Sequence, residues 1–127
     1  FLGDGRIFQF GIRSGTKEEF DWAKEHTHLE PFTATTLQKT IEKLRDVPVY
    51  ITIDLDVLDP SIFPGTGTPE PGGWTYRELM EAIQSFQSLN HIVAADVVEL
   101  SPQYDVSGGS TAVACKTIRE MLLTLAK

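Results

Sequence analysis

A chain of 127 residues with 41% hydrophobic and 23% charged residues has the length of one modest domain and can build a hydrophobic core. Its net charge of -7 argues against a nucleic-acid-binding protein, which normally presents a basic surface. No apolar run approaches the roughly 20 residues that span a bilayer, so no membrane partner is expected. A single cysteine suits a reducing cytoplasm.

The first part of the chain alternates between strand and helix patterns. Residues 6–12 (RIFQFGI) predict a strand, residues 17–28 a helix and residues 36–46 a second helix. Residues 48–55 (PVYITIDL) predict another strand, and their near-continuous apolar character indicates burial on both faces.

The second part continues the alternation. Thr75 followed three residues later by Glu78 forms a capping-box pattern that predicts the start of a helix. Residues 92–100 predict a third strand and residues 110–125 a last helix, in which Cys115 is interpreted as a small core residue. The apolar residues of this helix expected to face the sheet are Val113, Ile118, Leu122 and Leu125.

This order of elements predicts the fold class. Strands that alternate with helices run parallel and are joined by right-handed crossovers. We therefore expect a three-layer α/β fold, with a mainly parallel sheet and helices on both faces. Three strands are few for such a sheet, and at least one edge would stay unpaired.

Three carboxylates lie at the ends of the predicted strands. Asp54 and Asp56 are two positions apart, so in a strand they would project from the same face, and Glu99 ends the third strand. The functional crevice of an open α/β sheet lies at the carboxyl ends of its strands. Neighbouring carboxylates repel unless a cation neutralises them, and hard oxygen ligands favour Mg²⁺, Mn²⁺ or Ca²⁺. From spacing alone, metal binding and simple turn capping both stay open.

A longer segment carries a more specific signal. Residues 54–73 (DLDVLDPSIFPGTGTPEPGG) resemble the C-terminal signature of the ureohydrolase family, which includes arginases and agmatinases. Residues 8–15 (FQFGIRSG), 96–102 (DVVELSP) and 110–116 (STAVACK) resemble further family segments, in family order. The resemblance implies that residues 1–127 are the C-terminal segment of a single ureohydrolase domain.

The resemblance also implies a chemistry. Ureohydrolases are hydrolases that convert a guanidino group to urea and an amine with a pair of Mn²⁺ ions. Asp54 resembles the ligand that bridges both ions, Asp56 resembles a ligand of one ion, and Glu99 resembles the acid that pairs with the substrate guanidinium. A small cationic guanidino substrate and assembly into a trimer or hexamer follow from the resemblance alone.

The chain departs from the family in its remaining metal ligands. Two earlier family motifs, of the Gly-Gly-Asp-His and Asp-Ala-His-x-Asp types, are absent from the sequence. His26, His28 and His91 do not resemble family ligands. We therefore expect the full metal shell to belong to a longer parent enzyme and this segment to be inactive alone.

The substrate is suggested by two segments. The loop PGTGTPEPGG resembles the agmatinase type, and the residues after Arg13 are not the acidic residues with which arginases reach the substrate α-amino group. Both favour agmatine, with putrescine and urea as products, and hence polyamine biosynthesis. Arginine, guanidinobutyrate and a truncated or degenerate α/β module without catalysis stay open. Arg13 is expected to brace a loop through a carboxylate, and Thr68 to lie near the reacting site or to brace its loop.

Overall fold

The computed structural model describes residues 2–126, in which parallel strands alternate with helices. The strands are β1 (Phe8–Ile12), β2 (His28–Pro31), β3 (Val49–Asp54) and β4 (Ile92–Val98). The helices are α1 (Lys17–His26), α2 (Leu37–Leu44), α3 (Tyr76–Ser85) and α4 (Gly109–Leu125). Short 3₁₀ turns cover Leu55–Val57, Phe86–Ser88 and Pro102–Tyr104. Within the described range, no helix has the length and apolar character needed to cross a membrane.

The strands form two separate two-stranded sheets. β1 pairs in parallel with β2, and β3 pairs in parallel with β4. In the second sheet Asp54 lies opposite Val98, so both strands end at the same level. The predicted α/β class with parallel strands is therefore present, and this register brings the ends of β3 and β4 together.

β2 differs from the prediction, which extended the first helix through residue 28 and included only three strands. α1 ends at His26, and Thr27 has an extended backbone. The strand sequence HLEP has four residues, one of them proline, and lacks the apolar alternation that identifies a strand. Its pairing with β1 is a tertiary contact that local sequence does not reveal.

The core lies on one side of the β3–β4 sheet. Ile51 and Ile53 of β3 pack into a buried cluster with Leu79 and Ile83 of α3. The alternate positions of β3 are exposed, and Tyr50 is 57% exposed. The expected burial of this strand on both faces is therefore wrong within this chain, because buried and exposed positions alternate along β3.

The buried face of α4 also differs from the predicted one. Its buried residues are Ser110, Ala114, Thr117, Met121 and Thr124. Ile118 and Leu122 are 43% and 64% exposed, and Cys115 is exposed rather than part of the core. Thr117 is tolerated inside because its hydroxyl donates to the Val113 carbonyl, 2.9 Å away. Val113 and Leu125 do pack against the core, so the prediction from apolar residues is right for these two positions and wrong for Ile118 and Leu122.

Candidate metal and substrate site

Asp54 and Asp56 lie at the carboxyl end of β3, as predicted, but only Asp54 belongs to the strand. Asp56 lies in the 3₁₀ turn Leu55–Val57, so the two side chains do not share a strand face. The Asp56 backbone N–H donates to Asp54 Oδ1 at 3.0 Å and closes the turn. Glu99 follows the last residue of β4 and has a left-handed backbone with a φ of 68°. A non-glycine residue in this region is strained, and such strain is concentrated at functional sites.

The carboxylates influence one another. Loss of water around the Asp54 carboxylate is the main cause that raises its pKa, to about 6. The hydrogen bond from the Asp56 backbone opposes this rise, whereas the nearby negative charges of Asp56 and Glu99 add to it. Negative charge on Asp54 is therefore costly unless a cation lies nearby.

The loop after the turn folds back over the acids. Thr68 Oγ1 lies 3.3 Å from Asp56 Oδ2 and donates to it. A side chain on Gly67 would begin 3.7 Å from Glu99 Oε2, so the carboxylate of Glu99 lies beside the loop backbone. The Ser101 N–H donates to the Gly65 carbonyl at 2.7 Å and ties the loop to the segment after Glu99. Thr68 thus both contacts a site acid and fixes its loop.

Asp59 closes the base of the loop. Its carboxylate accepts hydrogen bonds from Ser61, Gly72 and Gly73. The bonds from Ser61 lower its pKa most, and together these contacts bring the pKa to about 2. Asp59 therefore joins the two ends of the loop, at Ser61 and at Gly72–Gly73.

Residues at the start of α4 hold the loop through hydrogen bonds. Gly108 occupies the cap position, and two side chains before it accept hydrogen bonds from the first helical turn: Ser107 Oγ from the Gly109 N–H at 3.0 Å, and Asp105 from the Ser110 N–H. Asp105 Oδ2 accepts from the Ser110 N–H at 2.6 Å, and Ser110 Oγ accepts from the Gly65 N–H at 2.8 Å. Asp105 and Ser110 are buried, so this chain of bonds fixes the loop to the core.

Arg13 joins the end of β1 to the same region. It was expected to contact a carboxylate, but its guanidinium donates to backbone carbonyls of Asp56, Val57, Leu58 and Glu70. The sequence could not reveal these partners, because a carbonyl oxygen is present at every residue. A cleft of about 500 Å³ lies between β1 and β3, with Asp54, Asp56 and Thr68 in its wall.

The histidines lie away from the acids. His26 Nδ1 is 3.1 Å from Asp4 Oδ1, and the His28 ring stacks on Phe8 with 4.4 Å between centroids. His91 precedes β4, at the opposite end of this strand from Glu99. In residues 2–126, no group of three or more histidine, cysteine, aspartate or glutamate side chains is arranged to hold a metal ion.

The acids nevertheless fit a divalent cation in their chemistry. None of Asp54, Asp56 and Glu99 forms an ion pair with a described residue. Carboxylate oxygens are the ligands that Mn²⁺ and Mg²⁺ prefer. Two such ligands fill only part of an octahedral shell, which agrees with the expectation that further ligands are needed.

Fold and site define an α/β protein whose acids meet at the carboxyl ends of adjacent parallel strands. The chain belongs to the arginase family, which it matches over residues 1–124. A structure from Clostridium difficile, provisionally assigned as an agmatinase, is 54% identical with a TM-score of 0.92, over 97% of this chain and 46% of that one. This likeness confirms the predicted arginase-like α/β fold.

Named relatives point in the same direction. An agmatinase of Bacillus anthracis is 48% identical over 125 residues, which are 96% of this chain and 43% of that protein. A guanidinobutyrase of Pseudomonas aeruginosa is 37% identical over 94% of this chain and 40% of its own length. The chain therefore spans less than half the length of the relatives it matches.

Proposed function

We propose that the chain is the C-terminal segment of a ureohydrolase domain that hydrolyses agmatine to putrescine and urea. The observation that carries the proposal is the group of three acids at the ends of β3 and β4, Asp54, Asp56 and Glu99, which form no ion pair within residues 2–126, in a chain of the arginase family. The name of the Bacillus anthracis relative supports agmatine as the substrate. The single cysteine supports a cytoplasmic location.

The metal of this proposal is a pair of Mn²⁺ ions. Asp54 would hold both ions and Asp56 one of them, with the remaining ligands supplied by other parts of the enzyme. A bound pair of this kind supplies a water molecule that loses its proton near neutral pH. Thr68, in the loop, donates a hydrogen bond to one carboxylate oxygen of Asp56. This bond limits how the Asp56 side chain can turn.

Glu99 orients the substrate. A carboxylate accepts parallel N–H bonds from a planar guanidinium group and so fixes the position of its carbon atom. The left-handed backbone of Glu99 turns the chain at the end of β4, where the loop backbone at Gly67 lies beside the carboxylate. Assembly of the enzyme into a trimer or hexamer is part of this proposal and rests on the family resemblance.

The first experiment is an intact mass measurement followed by a urea assay with agmatine and Mn²⁺. We expect no urea from a chain of 14.1 kDa and Mn²⁺-dependent urea from the longer enzyme that contains it. Urea release at 14.1 kDa would contradict the incomplete metal shell. Guanidinobutyrate is assayed in parallel, because one relative is named a guanidinobutyrase. If the longer enzyme prefers guanidinobutyrate, that compound replaces agmatine as the proposed substrate.

The metal roles are tested by substitution in the longer enzyme. Asp54→Asn removes a charged ligand of both ions, so we expect loss of bound manganese together with loss of activity. Asp21→Asn, on the exposed face of α1, is the control and should keep both. Unchanged manganese content and rate in the Asp54→Asn variant would exclude the bridging role.

Glu99→Gln tests the substrate role. This substitution removes the charge that pairs with the guanidinium. We expect kcat/KM to fall about 10- to 100-fold, which corresponds to the free energy of one hydrogen bond to a charged group. Manganese should stay bound. Metal analysis and steady-state kinetics on the same preparation separate the two effects. Loss of manganese would instead make Glu99 a metal ligand.

A further inference from the structure

Arg13 makes an unusual set of contacts for a charged side chain. Its Nη2 lies 2.5 Å from the Asp56 carbonyl and 2.8 Å from the Glu70 carbonyl, and its Nη1 lies 3.0 Å from the Val57 carbonyl. Nε adds a second bond to Glu70 at 3.1 Å. No described carboxylate pairs with it. The guanidinium therefore serves as a rigid fork of donors rather than as one half of an ion pair.

These contacts join segments that are distant in sequence. The bonds from Arg13 reach residues 43 to 57 positions away, on the 3₁₀ turn and on the loop after it. β1 and β3 belong to different sheets and are not paired with each other. Arg13 thus links the end of one sheet to the turn that follows the other, at the rim of the cleft between them.

A second contact shows that this junction is closely packed. Gly11 has a φ of +74°, and a Cβ atom there would lie 2.7 Å from Val57 Cγ2 and 3.0 Å from the Trp74 ring. Such a distance is shorter than carbon atoms tolerate, so only glycine allows β1 to approach the turn. The Trp74 N–H donates to the Val57 carbonyl at 2.8 Å from the other side.

We propose that Arg13 is a positioning residue for the candidate metal ligand Asp56. It holds the backbone of residues 56–58 through their carbonyl groups, and the direction of the Asp56 side chain follows from that backbone. The metal part of this inference, that Asp56 binds a metal ion, rests on the proposed function. The structural part, that Arg13 holds the backbone of residues 56–58, does not. Residues that orient metal ligands typically contribute about 10- to 100-fold to metal affinity.

The test compares Arg13→Lys, Arg13→Ala and the control Arg77→Lys in the 127-residue chain. Lysine keeps the charge but cannot reach several carbonyls with fixed geometry. The side chain of Arg77 is exposed and forms no hydrogen bond or ion pair within residues 2–126. Thermal unfolding shows whether each variant folds, and the lysine variant keeps the experiment informative if the alanine variant does not fold.

Two readouts are made by NMR. The first is amide hydrogen exchange at Asp56, Leu58 and Trp74, whose N–H groups are bonded within the junction. The second is the Mn²⁺ concentration that half-broadens the resonances of residues 54–56. In Arg13→Lys we expect faster exchange at the junction with unchanged exchange at Ile53, and a half-broadening concentration at least about tenfold higher. Arg77→Lys should match the original chain in both.

The outcomes separate the two proposals. Equal half-broadening concentrations in Arg13→Lys and the original chain would overturn the positioning role, even if exchange at the junction changed. Unchanged exchange at the junction would overturn the structural part. If the original chain shows no Mn²⁺ broadening near Asp54, the manganese content of the Arg13→Lys and Arg77→Lys variants of the longer enzyme is compared instead, and equal content would overturn the positioning role.

Discussion

Gly65 shows how a single position controls the loop over the acids. A Cβ atom at Gly65 would lie 2.7 Å from Cβ of Ser110, in the first turn of α4, and 3.1 Å from Cβ of Asp105, just before that helix. These neighbours belong to a hydrogen-bonded unit that cannot move without breaking its bonds. The close approach is therefore a packing requirement, and the glycine is the residue that meets it.

Gly65→Ala is predicted to reduce the free energy of unfolding by about 1–3 kcal/mol, the usual cost of overpacking. Gly67→Ala is the matched control, because its added methyl would meet Glu99 Oε2 at 3.7 Å, an ordinary contact distance. It should change stability by less than about 0.5 kcal/mol. Chemical denaturation of both variants decides the matter, and equal stability would refute the packing argument.

Sequence reasoning placed Asp54 and Glu99 correctly at the ends of strands, because strand ends are visible in the sequence. Asp54 and Glu99 end or follow apolar runs, and the ends of parallel strands meet at one edge of a sheet. The expectation that Asp54 and Asp56 share a strand face is wrong, because Asp56 lies in a 3₁₀ turn. Arg13 and Trp74, which are far away in the chain, form hydrogen bonds to the Val57 carbonyl of this turn. Contacts to backbone groups cannot be recognised from the residue types, because every residue carries a backbone carbonyl.

At the scale of elements, the start of α2 depends on a residue outside the helix. Apolar spacing predicted a helix over residues 36–46, but the cap position Thr36 makes no side-chain capping bond. Glu30 replaces it: its carboxylate accepts from the N–H groups of Thr35 and Thr36. Hydroxyl groups of Thr33, Thr35 and Thr36 donate to the same carboxylate. The capping patterns recognised in sequence involve shorter separations, which explains why this cap was missed.

The Glu30 cap makes the free energy of unfolding depend on pH. Partial burial acts to raise the pKa of Glu30, but the bonds from Thr33, Thr36 and Thr35 together outweigh it and hold the pKa at about 2. A carboxyl whose folded pKa lies below its unfolded value of about 4.3 stabilises the fold above that value. This contribution is lost as the pH falls from about 5 towards 2.

Glu30→Gln is therefore predicted to be less stable than the original chain at pH 7, with a difference that shrinks as the pH falls. Glutamine has one acceptor oxygen and directs an NH₂ group at donors. Glu42→Gln, on an exposed position of α2, is the control and should show little difference at any pH. Urea denaturation between pH 2.5 and pH 7 measures both variants, and a difference for Glu30→Gln that does not vary with pH would contradict the cap.

At the scale of the whole molecule, the sequence identified the fold class but not the covered faces. Parallel α/β topology follows from the alternation of elements, which is a local property. Which face of β3 or α4 is buried depends on what packs against it, and Tyr50 and Leu122 are both exposed. The relatives are more than twice as long as this chain, so the same positions have more chain available to cover them.

Exposed apolar positions on α4 give the last prediction. Ile118 and Leu122 lie one turn apart on the outer face of the helix, and surfaces of this kind promote association. We expect the 127-residue chain to self-associate as its concentration rises and Leu122→Glu to reduce that association, with a stability change below about 0.5 kcal/mol. Met121→Glu, one residue earlier but only 6% exposed, should instead unfold the chain, because it buries a charge without a partner. Sedimentation velocity and thermal unfolding test both variants, and equal association of Leu122→Glu and the original chain would show that this face is not the one responsible.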